Sequence, residues 1–216
     1  MLTGSCKKKD NNSNPAPTTG TATDVDGNIY HTVTIGSQVW MVENLNVTHY
    51  RNGDPIAHVS DNVQWSNLIT GAYCNYDNNA VNAGTYGRLY NWYAVADGPF
   101  IAPLGWHVPS DAEWTTLSDY LGGENVAGGK LKEAGLDHWN TPNTGGTNTN
   151  GFTALGAGFC DFTGWFGDFH DYEYWWSSTE SGSDKAEYRD VAYDYIDLNR
   201  SDLNKKSGLS VRCVKD

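Results

Sequence analysis

A set of helical signals followed by a run of strand-like segments predicts an α+β domain for this 216-residue chain. GWHVPSDAEWTTLSDYLGG carries both a helix start and a helix stop. FTALGAGF, EYWWSSTE, EYRDVAYDYIDL and LSVRCV read as strands separated by turn residues. No period recurs along the chain, which argues against a solenoid and for one domain. Composition agrees: Gly, Asn, Asp, Thr, Tyr and Trp are favoured, with only two Met and 14 Lys plus Arg, a bias toward strands and ordered loops. The expected architecture is two to three helices packed on antiparallel sheets, with long ordered loops.

The first residues, MLTGSCKKKDNNSNPAPTTG, lead through small side chains to Cys6 and then turn charged, polar and proline-bearing. Leu2-Thr3-Gly4-Ser5-Cys6 resembles a lipobox, so residues 1–5 read as the remnant of a lipoprotein signal and Cys6 as the lipidated residue. Residues 6–23 then form a disordered tether, with Lys7, Lys8 and Lys9 beside the lipid headgroups, and 24–216 form the domain. The expected location is extracytoplasmic, lipid-anchored to the bacterial outer membrane. Elsewhere no stretch approaches the roughly 20 apolar residues a membrane helix needs.

DVDGNIYHTVTIGSQVWMVENLNV holds two β-rich runs around Gly36-Ser37, a two-residue turn with Gly in its first central position, and predicts an opening hairpin. In RLYNWYAVAD, Leu89, Trp92, Tyr93 and Ala96 recur at helical spacing and Gly98-Pro99 stops the run, predicting a first helix. The second is the best specified: Ser110 is the N-cap, Glu113 closes a capping box, and Gly122-Gly123 end it, with Trp114, Leu117 and Leu121 on the buried face. A weaker third helix is expected from about Asn125 to Ala134.

The net charge of −12 disfavours nucleic acid and anionic membranes, because phosphate neutralisation needs a clustered basic face. DVDGN, Asp24 to Asn28, offers alternate oxygens, but it lacks the spacing of a calcium loop and reads as a turn. His107 and Asp111 are separated by Pro109 and a helix cap, so they cannot ligate a metal from one helical face. There is no phosphate-cradling glycine loop, no G-x-S-x-G and no H-E-x-x-H, and the carboxylate pairs Asp168/Asp171/Glu173 and Asp194/Asp197 read as solvated faces in an acidic chain. No catalytic residue, metal or cofactor is therefore assigned. Besides Cys6 the chain has Cys74, Cys160 and Cys213, without a C-x-x-C pair. One disulfide and one thiol are expected outside a reducing compartment, with Cys74 and Cys213 the expected pair because Cys160 lies in a Gly-rich strand; three buried thiols are the alternative.

VTIGSQVWMVENLNV, YGRLYNWYAV, GWHVPSDAEWTTLSDYLGG, GGKLKEAG, WNTPNTGGTNTNGFTALGAG, YWWSSTE and SVRCV form an ordered series that resembles the Fibrobacter succinogenes major paralogous domain over about residues 24–216. The resemblance implies an outer-surface or periplasmic lipoprotein, commonly with cysteines suited to a disulfide, and implies no known activity. GWHVPSDAEW also looks like an element of the formylglycine-generating enzymes, and SVRCV like their C-terminal strand, which together imply a C-type-lectin-like scaffold. Those enzymes oxidise with a copper-holding cysteine pair, and no segment here matches that motif. The calcium motifs of lectins are absent as well.

FTGWFGDFHDYEYWW, Phe162 to Trp176, is the densest aromatic stretch. Its second half predicts a core strand, with one or both of Trp175 and Trp176 against the second helix. Its first half, broken by Gly164 and Gly167, predicts an ordered loop whose Trp165, Phe166, Asp168, Phe169, His170 and Tyr172 are the candidate binding residues; the alternative is a loop folded over a satellite hydrophobic cluster. The expected function is a non-catalytic binding or adhesion module for an extracellular glycan or protein. An oxidoreductase like the formylglycine-generating enzymes and a structural envelope module are the alternatives.

Overall fold

The computed structural model describes residues 19–96 and 100–216; Cys6, the lipobox and the Gly98-Pro99 stop lie outside them. The chain opens with β1 (Thr19–Thr23) and β2 (Ile29–Ile35), joined through the Asp24–Asn28 turn, and continues into β3 (Gln38–Met41). Asp24 builds that turn: its Oδ1 accepts from the backbone N–H of Asp26 and Asn28, and its Oδ2 accepts from the Tyr30 hydroxyl at 2.6 Å. Because the turn closes a hairpin upstream of itself, Thr19–Thr23 pair with Val33–Ile29 and are strand, where a tether was expected to run to residue 23. The predicted hairpin around Gly36 is present, with Ile35 opposite Gln38 and Gly36 at φ 63°.

Next come β4 (Ala57–His58), α1 (Asn62–Ser66), β5 (Ala72–Cys74), a 3₁₀ turn at Tyr76–Asn78 and α2 (Ala80–Tyr86). The predicted first helix is split into β6 (Leu89–Asn91) and α3 (Trp92–Ala96). Strand pairing of Leu89 and Tyr90 overrides the helical spacing, and Asn91 Oδ1 caps α3 by accepting from Ala94 N–H at 3.1 Å. After β7 (Trp106–His107), α4 (Asp111–Tyr120) has the predicted capping box, and Trp114, Leu117 and Leu121 are buried. His107 is held between Glu113 and Asp216, each at 2.7 Å. The third helix, α5, is Glu124–Leu131.

The last third supplies β8 (Phe159–Cys160), β9 (Phe166–Gly167), β10 (Tyr172–Glu180), β11 (Lys185–Ala192), β12 (Asn199–Asn204), β13 (Gly208–Leu209) and β14 (Val214–Lys215). Among the described residues three sheets result, in the orders β1-β2-β3-β14-β7, β10-β11-β12 and β4-β5-β6-β13-β8-β9. The ladders between these strands, among the described residues, are antiparallel except β4 with β5. The class is thus α+β as predicted, with five helices among the described residues rather than two or three.

The segment LSVRCV is the spine of the molecule. β13 lies between β6 and β8, Ser210 bridges Trp175, Val211 and Cys213 carbonyls accept from Leu45 and Met41, and β14 lies between β3 and β7. One core fills the space between α4, α5 and the sheets, around Trp40, Trp114, Trp139, Phe152 and Trp175. A second, around Tyr90, Trp92, Trp176, Leu209 and Val211, lies across β10 from it, so Trp175 meets Trp114 at 5.5 Å while Trp176 donates to Tyr90 O at 2.8 Å on the other face. Arg189 of β11, fully buried, donates to Asp111 and Glu124 and so ties the sheet to the first turns of α4 and α5.

Helix α5 approaches the chain so closely that its glycines are structural. A Cβ on Gly128 would stand 2.0 Å from Asp197 O, and Gly129 N–H donates to Ile196 O at 2.9 Å. Helix propensity alone would make Gly128→Ala stabilising by about 1 kcal/mol. The collision with backbone reverses the sign, and a loss of about 3 kcal/mol is expected in urea denaturation.

Candidate functional site

The β8–β9 connection is a tight hairpin that pushes two aromatic rings outward. Asp161 Oδ1 accepts from Thr163 N–H at 2.7 Å, from Thr163 Oγ1 at 2.7 Å and from Trp165 N–H at 2.9 Å. Gly164, at φ 89°, lies so near α1 that a Cβ would stand 2.8 Å from Asn62 Cα. The turn is thereby fixed with Phe162 50 % and Trp165 60 % exposed. The Trp165 ring lies across Gly167, where a Cβ would meet it at 2.4 Å.

The six predicted residues do not form one group. Trp165 meets Phe159 edge-on at 6.4 Å, Phe159 meets Tyr174 at 5.2 Å, and Tyr174 stacks on Tyr172 at 5.4 Å and meets Tyr188 at 5.7 Å. Asp168 joins this strip by accepting from the Tyr174 hydroxyl at 2.7 Å. Phe169 and His170 turn to a second group: Phe169 stacks on Tyr76 at 4.4 Å, and His170 Nε2 lies 2.7 Å from the Tyr86 hydroxyl. Phe166, as part of β9, packs on the small core around Trp65, Cys74 and Cys160 and meets Tyr76 of the second group at 5.4 Å. The expected loop is therefore a hairpin plus a strained corner, with Asp168 and His170 at φ 62° and 64°.

Phe159, Tyr174, Tyr188 and Asp190 were missed as site residues. The signal was present in the strand period: Tyr172, Tyr174 and Trp176 alternate on one face of β10, opposite Ala192, Asp190 and Tyr188 of β11.

Burial sets the charge state of the strip. It raises the Tyr172 and Tyr188 phenols, with nearby aspartates adding to the effect, and raises Tyr174 further through the Asp168 hydrogen bond. These hydroxyls stay neutral donors. Asp190 is pushed up to about 6 by burial, with the Asn199 amide opposing the rise and the Asp168 charge adding to it. In the second group burial, aided by His138, lowers His170, and burial pushes Tyr86 up to about 12. The strip thus combines flat apolar faces, neutral hydroxyls and carboxylate acceptors.

Other recesses lie elsewhere on the described residues. One of about 310 Å³ is lined by Val25, Val47, Ile101, Leu104 and Arg51, but Arg51 donates to the carbonyls of Ala102, Pro103 and Trp106. One of about 230 Å³ is lined by Glu43, Asn46 and Thr85, and there Glu43 is held by His31.

The cysteines correct one prediction. Cys74, Cys160 and Cys213 are all free and buried, and Cys74 and Cys213 sit in different cores. Strand order is the reason: Cys74 ends β5 near one edge of the six-stranded sheet, while Cys213 lies just before β14 in another sheet.

Fold and surface together define a mixed α+β domain, with α4 and α5 on one face of the β10–β11 ribbon and an aromatic, carboxylate-bearing strip on the other. The family model of the Fibrobacter succinogenes major domain matches residues 33–215, and the chain belongs to that family. No curated protein and no solved structure matches it.

Proposed function

We propose that this chain is an envelope-anchored, extracytoplasmic binding module, non-catalytic and built on a C-type-lectin-like scaffold, that holds neutral glycans on the strip from Trp165 to Tyr188. A lipid on Cys6 anchors it to the outer membrane. The observation that carries the reading is Trp165, a large aromatic ring 60 % exposed on a turn that Asp161 holds rigid. The indole rests on Gly167 and Phe159 and leaves the rest of its surface open, and a ring held in place loses little entropy when a sugar stacks on it. Tyr172 and Tyr174 extend the platform, and Asp168 supplies an acceptor for sugar hydroxyls. The net charge of −12 selects against anionic glycans.

The test is binding of the intact protein to an array of neutral oligosaccharides, followed by calorimetry on the best of them. Trp165→Ala with Tyr172→Ala is expected to weaken binding by roughly 10–100-fold with an unchanged melting temperature. Phe166→Ala is unsuitable as a binding probe, since it opens the small core. Unaltered affinity in the double variant, or capture of envelope protein with no glycan bound, overturns the glycan reading.

A further inference from the structure

Two thiols from strands that are not neighbours meet inside the six-stranded sheet. Cys74 is paired with Leu89 across the β5–β6 ladder, and Cys160 with Gly208 across the β8–β13 ladder. Strands β6 and β13 lie between them in hydrogen-bonding order. Even so, both side chains fall in one small buried cluster with Trp65, Ala72 and Leu89, each 1 % exposed. Both also line the same gap beneath Phe166, which leaves no room for a water molecule.

Gly208 is what lets them approach. A Cβ there would stand 3.0 Å from the Trp65 ring, 3.2 Å from Cys160 Cβ and 3.3 Å from Leu89 Cβ. With no side chain at that position, the sheet curls tightly enough for Cys160 to lie beside the thiol of Cys74. Among the described residues Cys213 has no such neighbour, being packed in the core that holds Met41, Val211 and Trp106.

We infer that Cys74 and Cys160 are the chain's disulfide-forming pair, and that their bond ties the base of the Trp165 hairpin to β5. In the step each thiol gives up its hydrogen and the Sγ–Sγ bond forms. The two protons and two electrons pass to a disulfide oxidant, which is cleaved to two thiols. Burial first, then the Cys160 thiol beside it, hold Cys74 well above the ordinary thiol range. Exchange therefore takes place as the chain folds, before the cluster closes, because the thiolate is the attacking species and the closed cluster suppresses it. Cys160 ends β8 opposite Phe166 of β9, so the bond anchors the first strand of the hairpin that presents Trp165.

The experiment uses the full chain carrying Cys6→Ser, which leaves three thiols. The reduced, unfolded protein is refolded in a mixture of reduced and oxidised glutathione, then denatured, alkylated and mapped by peptide mass spectrometry. The expected result is one alkylated cysteine, Cys213, and one linked peptide pair joining Cys74 to Cys160, with a melting temperature roughly 10 °C above that of the reduced protein. Cys213→Ser should keep the link, and Cys160→Ser should lose it and leave two alkylated cysteines. Three alkylated cysteines after oxidative refolding, or a link involving Cys213, overturns the inference. The readout uses no glycan, so failure of glycan binding and failure of this pairing are separate outcomes.

Discussion

Asn44→Ala is expected to destabilise the domain by about 4–5 kcal/mol, as much as truncating a buried tryptophan of its cores. Asn44 is buried where the two large cores meet, and its one amide serves partners from every part of the chain. Its Nδ2 donates to Tyr86 O at 2.9 Å, to Glu173 Oε1 at 2.9 Å and to Ser210 Oγ at 3.2 Å. Its Oδ1 accepts from Trp175 Nε1 at 3.0 Å and from Arg212 Nε and Nη2 at 3.1 and 2.9 Å. Arg212, 1 % exposed, keeps one hydrogen bond, to Phe152 O, and its position over the Phe152 and Trp175 rings if Asn44 is lost. Leaving a buried guanidinium half-solvated is the dominant cost, and the orphaned indole adds to it. Asn44→Asp restores the acceptor but not the donors, and it places a second carboxyl against Glu173, so it should not recover the loss. Urea denaturation of both variants decides the matter: an Asn44→Ala protein within about 1 kcal/mol of wild type would show that these bonds contribute little net stability.

What could be read from the sequence is what local chemistry determines. The capping box at Ser110, the Gly36-Ser37 turn and the burial of Trp114, Leu117 and Leu121 depend on neighbours a few residues away, and all three are present. The errors sit where distant chain decides. RLYN has helical spacing but is drawn into strand by β5 and β13. FTALGAGF has strand composition yet forms a ladder just at its end, with single bridges at Ala154 and Gly158, because Gly156 and Gly158 are used for close backbone approach to His170 and Gly167. NRSDLN is polar and was passed over, but as the outer strand of its sheet β12 needs no apolar face. The aromatic stretch was correctly divided into a core strand and a more exposed part, and Trp175 lies against α4 as expected. The division fell in the wrong place, however, since Tyr174 joins the exposed strip and Phe166 joins a core. The cysteine pairing failed for the same reason: contact between Cys74 and Cys160 depends on strand order and on Gly208, neither of which leaves a local trace.

Glu173→Gln is expected to change how stability depends on pH over the neutral range. Glu173 is fully buried on β10, accepts from Asn44 Nδ2 and from Ala157 N–H, and is pushed up to about 8 by burial, which outweighs the opposing Arg212 charge and the hydrogen bonds. The unfolded chain releases this proton near the ordinary value of 4.5, so between those two pH values the folded state holds a proton the unfolded state has lost. Its stabilisation is complete below pH 4.5 and disappears as pH rises through 8, a change on the order of 5 kcal/mol. Asp190, raised to about 6, acts in the same direction over a lower and narrower window. Lys132 opposes them only above pH 8: burial lowers it to about 8, so the unfolded state binds the extra proton between 8 and 10.5 and stability rises there. Glutamine at 173 keeps an acceptor for the Ala157 N–H and has no proton to lose. Unfolding free energies measured from pH 4.5 to 8.5 should therefore fall steeply in wild type and show only the smaller Asp190 slope in the variant. Parallel curves for the two proteins would mean that Glu173 is ionised throughout, stabilised as a carboxylate by Arg212 through Asn44, and that the buried network carries a charge pair instead of a proton.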